Sequence, residues 1–238
     1  MTIHLNILQQ SDDWVIVSKP PKLLMHGHPR FPGAATLIDT LQEQLSRQLW
    51  IVHRLDRSAS GVLIVAKRKQ VTQSLKEALA TGTKTYVAFV RGYFSRDEAV
   101  VVETPIKHNG RFKEAKSVIT CLGRSHEPRC SLLQVQPHTG RHHQVRRHVR
   151  DLTHPVLLDA DHGDCKVNRW WRNNYNLHRL GLHSLAVSLR VKGQSIQVFS
   201  PLYSDHYQVL SKMPWWEEAQ MKEPMLRTTP FPNPEQAR

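Results

Sequence analysis

The stretch Ile51 to Lys67, IVHRLDRSASGVLIVAK, limits the fold more than any other part of the chain. Its second half, Val62 to Ala66, is an unbroken apolar run rich in β-branched residues, with the length of a fully buried strand. A charged loop feeds straight into that strand: Asp56 stands between Arg54 and Arg57, and only Ser58-Ala59-Ser60-Gly61 separates them from the apolar run. Such a loop is packed against the core by its neighbours, which makes Asp56 a candidate working acid. On residue types alone, an Asp capping a turn between solvated arginines is the plainer reading.

Around this stretch the chain alternates sheet and helix signals. Trp14 to Ser18 is a short apolar strand stopped by Lys19-Pro20-Pro21-Lys22. Gly27 to Gly33 is a loop. Thr36 is placed to cap a helix whose Leu37, Leu41 and Leu45 form one buried stripe. Val71, Leu75, Ala78 and Leu79 mark a second amphipathic helix ending near Thr81-Gly82. Lys84 to Gly92 is a strand by its residue types, and VVVE, Ser117 to Leu122 and Ser131 to Val135 are short strands suited to an antiparallel sheet. Between them Gly110 to Lys116 is basic with one aromatic, so Lys113 is a candidate phosphate contact. Leu182 to Leu189 and Ile196 to Phe199 pair across the Lys192-Gly193 turn. The expected organisation is one catalytic domain over residues 1–211 and a Pro-rich tail over 212–238 whose last dozen residues are disordered.

The charge narrows the partner. Thirty-three Lys and Arg against twenty Asp and Glu give a formal +13 and a sequence pI near 10.0, which favours a polyanion. No long apolar stretch or basic amphipathic helix points to a membrane. Three unpaired cysteines, Cys121, Cys130 and Cys165, and the absence of a signal-peptide pattern at Met1-Thr2-Ile3-His4 read as a cytoplasmic chain with reduced thiols. The fifteen histidines show no compact ligand spacing, so no metal is expected.

The second informative stretch is His138 to Pro155, HTGRHHQVRRHVRDLTHP. Thr139 is placed to cap a helix on which Val145, Val149 and Leu152 share one face. At 100° per residue Arg146 borders that face and can reach a cleft, while Arg147 and Arg150 point to solvent or RNA. On composition alone this is an RNA-facing basic helix.

Taken together, the motifs resemble the RluA-type pseudouridine synthases. HRLD-x-x-x-SG before an apolar strand is similar to that family's signature, which implies Asp56 as the catalytic residue; Ser58-Ala59 departs from the Thr usual before Ser-Gly. Lys84-Thr85-Tyr86-Val87-Ala88-Phe89-Val90-Arg91-Gly92 resembles K-x-Y-x-A-x-V-x-G, which implies that Tyr86 packs against the target base. Thr139 to Arg146 resembles TGR-x-H-Q-[LIV]-R position by position, which implies that Arg146 pairs with Asp56. Such a guanidinium favours the ionised carboxylate once substrate shields it from water. Arg141 is then a phosphate contact. Lys19-Pro20-Pro21-Lys22 is similar to a Lys-Pro-x-Gly turn with Lys22 in the glycine's place, and His154 to Asp159 to H-P-[IL]-x-G-D with Leu158 in the glycine's place. Leu182-His183-Ser184 resembles L-H-A.

The resemblance implies an α+β fold with a large mixed, mainly antiparallel central sheet, and isomerisation of a uridine without a redox or metal cofactor. The target nucleotide must leave its stack, and Arg54 is placed to fill the gap. Asp56 either attacks the sugar carbon or takes a proton from the ribose. Arg54, Arg57, Lys113, Arg141 and Arg147 are the candidate RNA contacts. Asp161 to Arg169 resembles the TruC-like branch, which implies a T-arm uridine of tRNA, position sixty-five, as substrate for a chain expected to act as a monomer. A ribosomal RNA uridine is the alternative target. Trp170, Trp171, Arg172 and Tyr175 read either as an RNA clamp or as a hydrophobic lid. A silent RNA-binding protein would be indifferent to the Asp56 carboxylate, and a metal-dependent RNA-cleaving enzyme would use the histidines.

Overall fold

The structure, a computed structural model, describes residues 3–27, 29 and 31–233; His28 and Arg30 of the expected loop, and residues 234–238 of the expected tail, lie outside the described residues. The elements in chain order are β1 (Asn6–Gln10), β2 (Trp14–Lys19), α1 (Leu37–Leu45), β3 (Trp50–Ile51), β4 (Ser60–Ala66) and α2 (Thr72–Thr81). There follow β5 (Thr83–Arg91), β6 (Val100–Val102), β7 (Ile106–His108), β8 (Arg111–Lys113), β9 (Ser117–Ser125) and β10 (Cys130–Pro137). The last are α3 (Gln144–Asp151), α4 (Cys165–Tyr175), β11 (Leu182–Val191), β12 (Gln194–Phe199), α5 (Ser204–Leu210) and α6 (Trp216–Lys222).

The large sheet runs β1-β2-β4-β11-β5-β10-β9-β6, with β12 also on β11 and β3 also on β4. Its pairings are antiparallel except β4 with β11, so the mixed, mainly antiparallel sheet that the resemblance implies is present. The parallel pair sets His183 against Ser60 and Ser184 against Gly61 at the start of the apolar strand. Gly61 has φ +110, and a Cβ there would lie 2.1 Å from the Ser184 carbonyl oxygen, so the Ser-Gly turn accepts only glycine.

Alternation along the strands feeds both faces of the sheet. Val15, Val17, Leu63 and Val65 pack on α1 through Leu37 and Leu41, while Ile16, Val62 and Ile64 pack on α2 through Leu75 and Leu79. Thr36 caps α1 as its spacing predicts, accepting from Asp39 N at 3.2 Å and donating to the Asp39 carboxylate at 2.7 Å. Farther along the sheet, Ala88, Val90, Leu133 and Val135 receive Val145 and Val149 of α3. Val87, Phe89 and Leu132 meet α5 and α6 on the opposite side.

The segment after residue 211 differs from the expected appendage. Met213, Trp215, Trp216, Ala219 and Leu226 are buried in the same cluster as Phe89 and Leu132. A Cβ on Gly123 of β9 would lie 2.7 Å from the Trp215 ring, so the strand is shaped to receive that indole. Glu223 accepts from Gln134 Nε2 at 2.7 Å, and Phe231 exchanges backbone hydrogen bonds with Leu202 and Ser204. These apolar residues are scattered among prolines and show no period, yet each has a partner far away in sequence. Among the described residues no helix is long and apolar enough to cross a membrane.

Candidate active site

Asp56 sits on the loop between β3 and β4, and three anchors fix that loop. Lys19, fully buried at the end of β2, donates from Nζ to the carbonyls of Pro20 at 2.9 Å, Arg57 at 3.0 Å and Ala59 at 2.9 Å. Burial lowers its pKa to about 7, against the pull of the Asp56 charge. His53 accepts from Ile64 N at 3.0 Å, which ties the front of the loop to β4; burial lowers its pKa to about 4 and keeps it neutral. Behind the loop, Arg179 Nη1 donates to Ser60 Oγ at 3.1 Å, and Ser60 Oγ lies 2.8 Å from His183 Nδ1. His183 Nε2 lies 3.0 Å from the Ser200 carbonyl, a donor arrangement that fixes the neutral ring.

Arg146 reaches the loop from α3. Its Nη1 donates to Asp56 Oδ2 at 3.0 Å, its Nε to Asp159 Oδ2 at 2.7 Å, and its Nη2 to Asp159 Oδ1 at 2.5 Å and Asp161 Oδ2 at 2.6 Å. One guanidinium thus serves three carboxylates. Burial acts against its charge, but the bonds to Asp159 outweigh it and raise its pKa above the ordinary arginine value. The same bonds hold Asp159, whose side chain is fully buried, below the usual carboxylate range despite desolvation. Asp56 Oδ1 lies 3.7 Å from His143 Nε2, beyond hydrogen-bond distance, at the wall of an open cleft of about 660 Å³.

Tyr86 lines that cleft from β5, paired in register with Ser184; burial pushes its phenol up to about 12, so it stays neutral and acts as an apolar face. A run of imidazoles closes one side: His142 stacks on His143 with centroids 3.8 Å apart, and His108 and His162 flank the pair at 5.3 and 5.4 Å. Burial lowers His143 to about 4 although Asp56 pulls the other way, so the ring beside the carboxylate is neutral at pH 7. Among the described residues no group of His, Cys, Asp or Glu is arranged to hold a metal ion.

The candidate contacts divide. Arg54, Lys113 and Arg141 line the cleft together with Asp56, Tyr86 and Arg146. Arg57 turns away: its Nε donates to the Lys22 carbonyl at 3.1 Å and its guanidinium lies 4.2 Å from the Phe31 ring centroid. Arg147 donates to the Lys107 carbonyl at 2.9 Å and braces the β7–β8 hairpin. That hairpin occupies part of the segment read as a basic loop; its strands are three residues each, too short for a period to show. Thr139 does not cap α3. The helix starts at Gln144 after left-handed His143, and the Thr139 hydroxyl instead donates to Gln144 Oε1 at 2.7 Å. The roles of Lys19, Asp159 and Asp161 are not read from the sequence, because each depends on a partner brought from another element.

The family model of the RNA pseudouridylate synthases matches residues 13–151, which contain Asp56, Tyr86 and Arg146. The tRNA pseudouridine synthase C of Vibrio parahaemolyticus serotype O3:K6 is 33% identical over 204 residues, 76% of this chain and 83% of that protein. The same-named protein of Vibrio cholerae serotype O1 is 34% identical over the same shares. Among solved structures, Human RNA Pseudouridylate Synthase Domain Containing 1 shares the fold with a TM-score of 0.72 at 22% identity, covering 98% of both chains. With a family match over more than half its length, on the sheet and loops that build the cleft, the chain belongs to the RNA pseudouridylate synthase family, of the RluA type that its motifs resemble.

Proposed function

We propose that this chain isomerises one uridine of tRNA to pseudouridine, at T-arm position sixty-five, with Asp56 as its catalytic group. The observation that carries the reading is the Asp56 carboxylate: Oδ2 is held by Arg146 while Oδ1 is left to a cleft that Tyr86 also lines. The reaction breaks the bond from ribose C1′ to N1 and forms one from C1′ to C5; N1 gains a proton and C5 loses one. A carboxylate of fixed direction serves either route, attack on C1′ or removal of a ribose proton, and the Arg146 guanidinium bonded to it faces its charge when substrate excludes water. A neutral Tyr86 offers a flat face to the flipped base, and exposed Arg54 fills the space that the base leaves.

Arg54, Lys113 and Arg141 contact phosphates around the cleft, whereas Arg57 and Arg147 organise the catalytic loop and the hairpin. The reading needs a single copy, since every group named comes from one chain, and it places the reaction in the cytoplasm where its RNA is processed. The tRNA substrate is supported by the name of the Vibrio relatives, tRNA pseudouridine synthase C, and by the +13 charge. The test is incubation with unmodified tRNA transcripts and, separately, ribosomal RNA fragments, mapping pseudouridine by carbodiimide adduct and primer extension. A stop in the tRNA T-arm is the expected result. A stop confined to ribosomal RNA would overturn the substrate, and no stop in any RNA would overturn the activity.

A further inference from the structure

Helix α4 takes no part in the cleft, and it separates the two roles that its aromatic residues suggest. Trp171 is 2% exposed and packs edge-on against Phe89 with centroids 5.0 Å apart, so it is the lid. Trp170, one position earlier, is 45% exposed and meets only the rings of Trp171 and Tyr175 among the described aromatics. Around it Lys166, Arg169 and Arg172 are all exposed. The helix carries no acid, and among the described residues none of these three cations has a carboxylate within ion-pair distance. At 100° per residue Lys166 and Arg169 stand at the middle of the exposed face, with Trp170 on one flank and Arg172 on the other, and the nearest acid, the N-cap Asp164, is paired with Arg91. Lys166 and Arg172 are separated by about 9 Å of helix rise and about 120° of turn, so they reach different phosphates of a backbone that crosses the helix.

The inner side of α4 fixes where that face sits. Asn168, buried, donates from Nδ2 to the Asp159 carbonyl at 2.9 Å and accepts from Leu158 N at 2.9 Å. Asp159 is the residue that Arg146 grips beside Asp56. The helix is therefore bonded to the turn that braces the catalytic arginine, and its position is set relative to the catalytic carboxylate.

We propose that Lys166, Arg169, Trp170 and Arg172 form a second RNA-binding surface outside the cleft, which grips the sugar-phosphate backbone of the substrate. Trp170 lies against a ribose or an unpaired base there, a contact indifferent to sequence. This rests on RNA being the substrate. The surface supplies affinity and orientation and leaves the chemical step to the cleft.

Cys165 gives a direct probe, because it is exposed at the start of α4 whereas Cys121 and Cys130 are buried. The rate of Cys165 alkylation by N-ethylmaleimide is measured with and without saturating tRNA transcript. The Kd and its salt dependence are measured for the wild type and for the double variant Arg169→Glu, Arg172→Glu. We expect alkylation to slow at least about fivefold in the complex. The double variant should bind about tenfold more weakly, with a salt slope smaller by roughly 2, an unchanged melting temperature and kcat at saturating RNA within about twofold. Cys165 alkylated at the same rate in the complex, or a double variant that binds as tightly with the same slope, would overturn the proposal. Turnover by the wild type on the same transcript reads the functional assignment separately: protection of Cys165 without pseudouridine formation would sink that assignment and leave the RNA surface of α4 standing.

Discussion

Two arginine–aspartate pairs hold this molecule together near the Asp56 loop, and they differ in what they leave unbonded. Arg179 binds both oxygens of Asp205, one contact at 2.8 Å, and Asp205 Oδ1 also accepts from His206 N at 2.7 Å. That carboxylate has no oxygen to spare. Arg146 gives Asp56 a single bond and spends the rest of its guanidinium on Asp159 and Asp161, so one oxygen of Asp56 remains at the cleft. An arginine beside an acid can be cement or catalytic support, and the count of unshared oxygens separates the two. Asp159 and Asp161 are what make the difference: they turn the guanidinium so that it meets Asp56 end-on.

The sharpest way to break the comparison is to remove one charge from each pair. Asp56→Asn should lower turnover by about 10³-fold or more while its melting temperature stays within a few degrees, since the amide keeps the shape and Asp159 and Asp161 still satisfy Arg146. Asp205→Asn should do the reverse. It leaves Arg179, side chain 3% exposed, without its counter-ion and should cost about 2–4 kcal/mol of stability, read by urea denaturation, with kcat per folded molecule near that of the wild type. Arg146→Met should combine both effects. Turnover is lost, and buried Asp159 without its partner costs about 3–5 kcal/mol; a variant as stable as the wild type would show that the guanidinium is not the hub described.

Acid should expose a smaller difference. His183, completely buried behind the loop, has a pKa lowered to about 4, so between that value and 6.5 the unfolded chain binds a proton that the folded one does not. Stability therefore rises with pH through this window and is lost as pH falls from 6.5 towards 4, by up to roughly 1.4 kcal/mol per pH unit. The melting temperature should fall by about 3 °C per unit for this residue, and less steeply in a His183→Asn variant. A profile with the same slope in both would contradict the neutral, doubly bonded ring. The smallest effect is at Lys22. This lysine has φ 66, and Lys22→Gly should stabilise by about 0.5–1 kcal/mol, measured by thermal melting.

Lys22 also shows how the sequence can be read. It and Leu158 are the two positions that stand where the resembled motifs carry glycine, and both have positive φ, 66 and 60. The departures are visible in the residues; that the backbone keeps the glycine conformation is visible only in the structure. Asp56, Tyr86 and Arg146 stand out only through the motifs that resemble the family, since by residue type alone Asp56 reads as a turn cap and Arg146 as part of an RNA-facing helix; the structure brings the three to one cleft, with Arg146 bonded to Asp56. The sheet strands and the first two helices are legible from their period. Lys19 and Asp159 are not, because a buried charge is defined by a partner 40 or 13 positions away, as in the Lys19–Ala59 and Arg146–Asp159 bonds. The C-terminal segment fails for the same reason: Trp215 belongs in the core only because Gly123 makes room for it. Thr139 is the converse, a good capping residue by type whose hydroxyl is engaged by the Gln144 side chain instead.

The central claim is that the unshared oxygen of Asp56, oriented by Arg146, carries the chemistry. Its most direct test is tritium release from tRNA transcript labelled at uridine C5, in single turnover, by the wild type, Asp56→Asn and Asp205→Asn. The account expects rapid release from the wild type, none above background from Asp56→Asn with the RNA still bound, and near wild-type release per folded molecule from Asp205→Asn. Release at the wild-type rate by Asp56→Asn would contradict it.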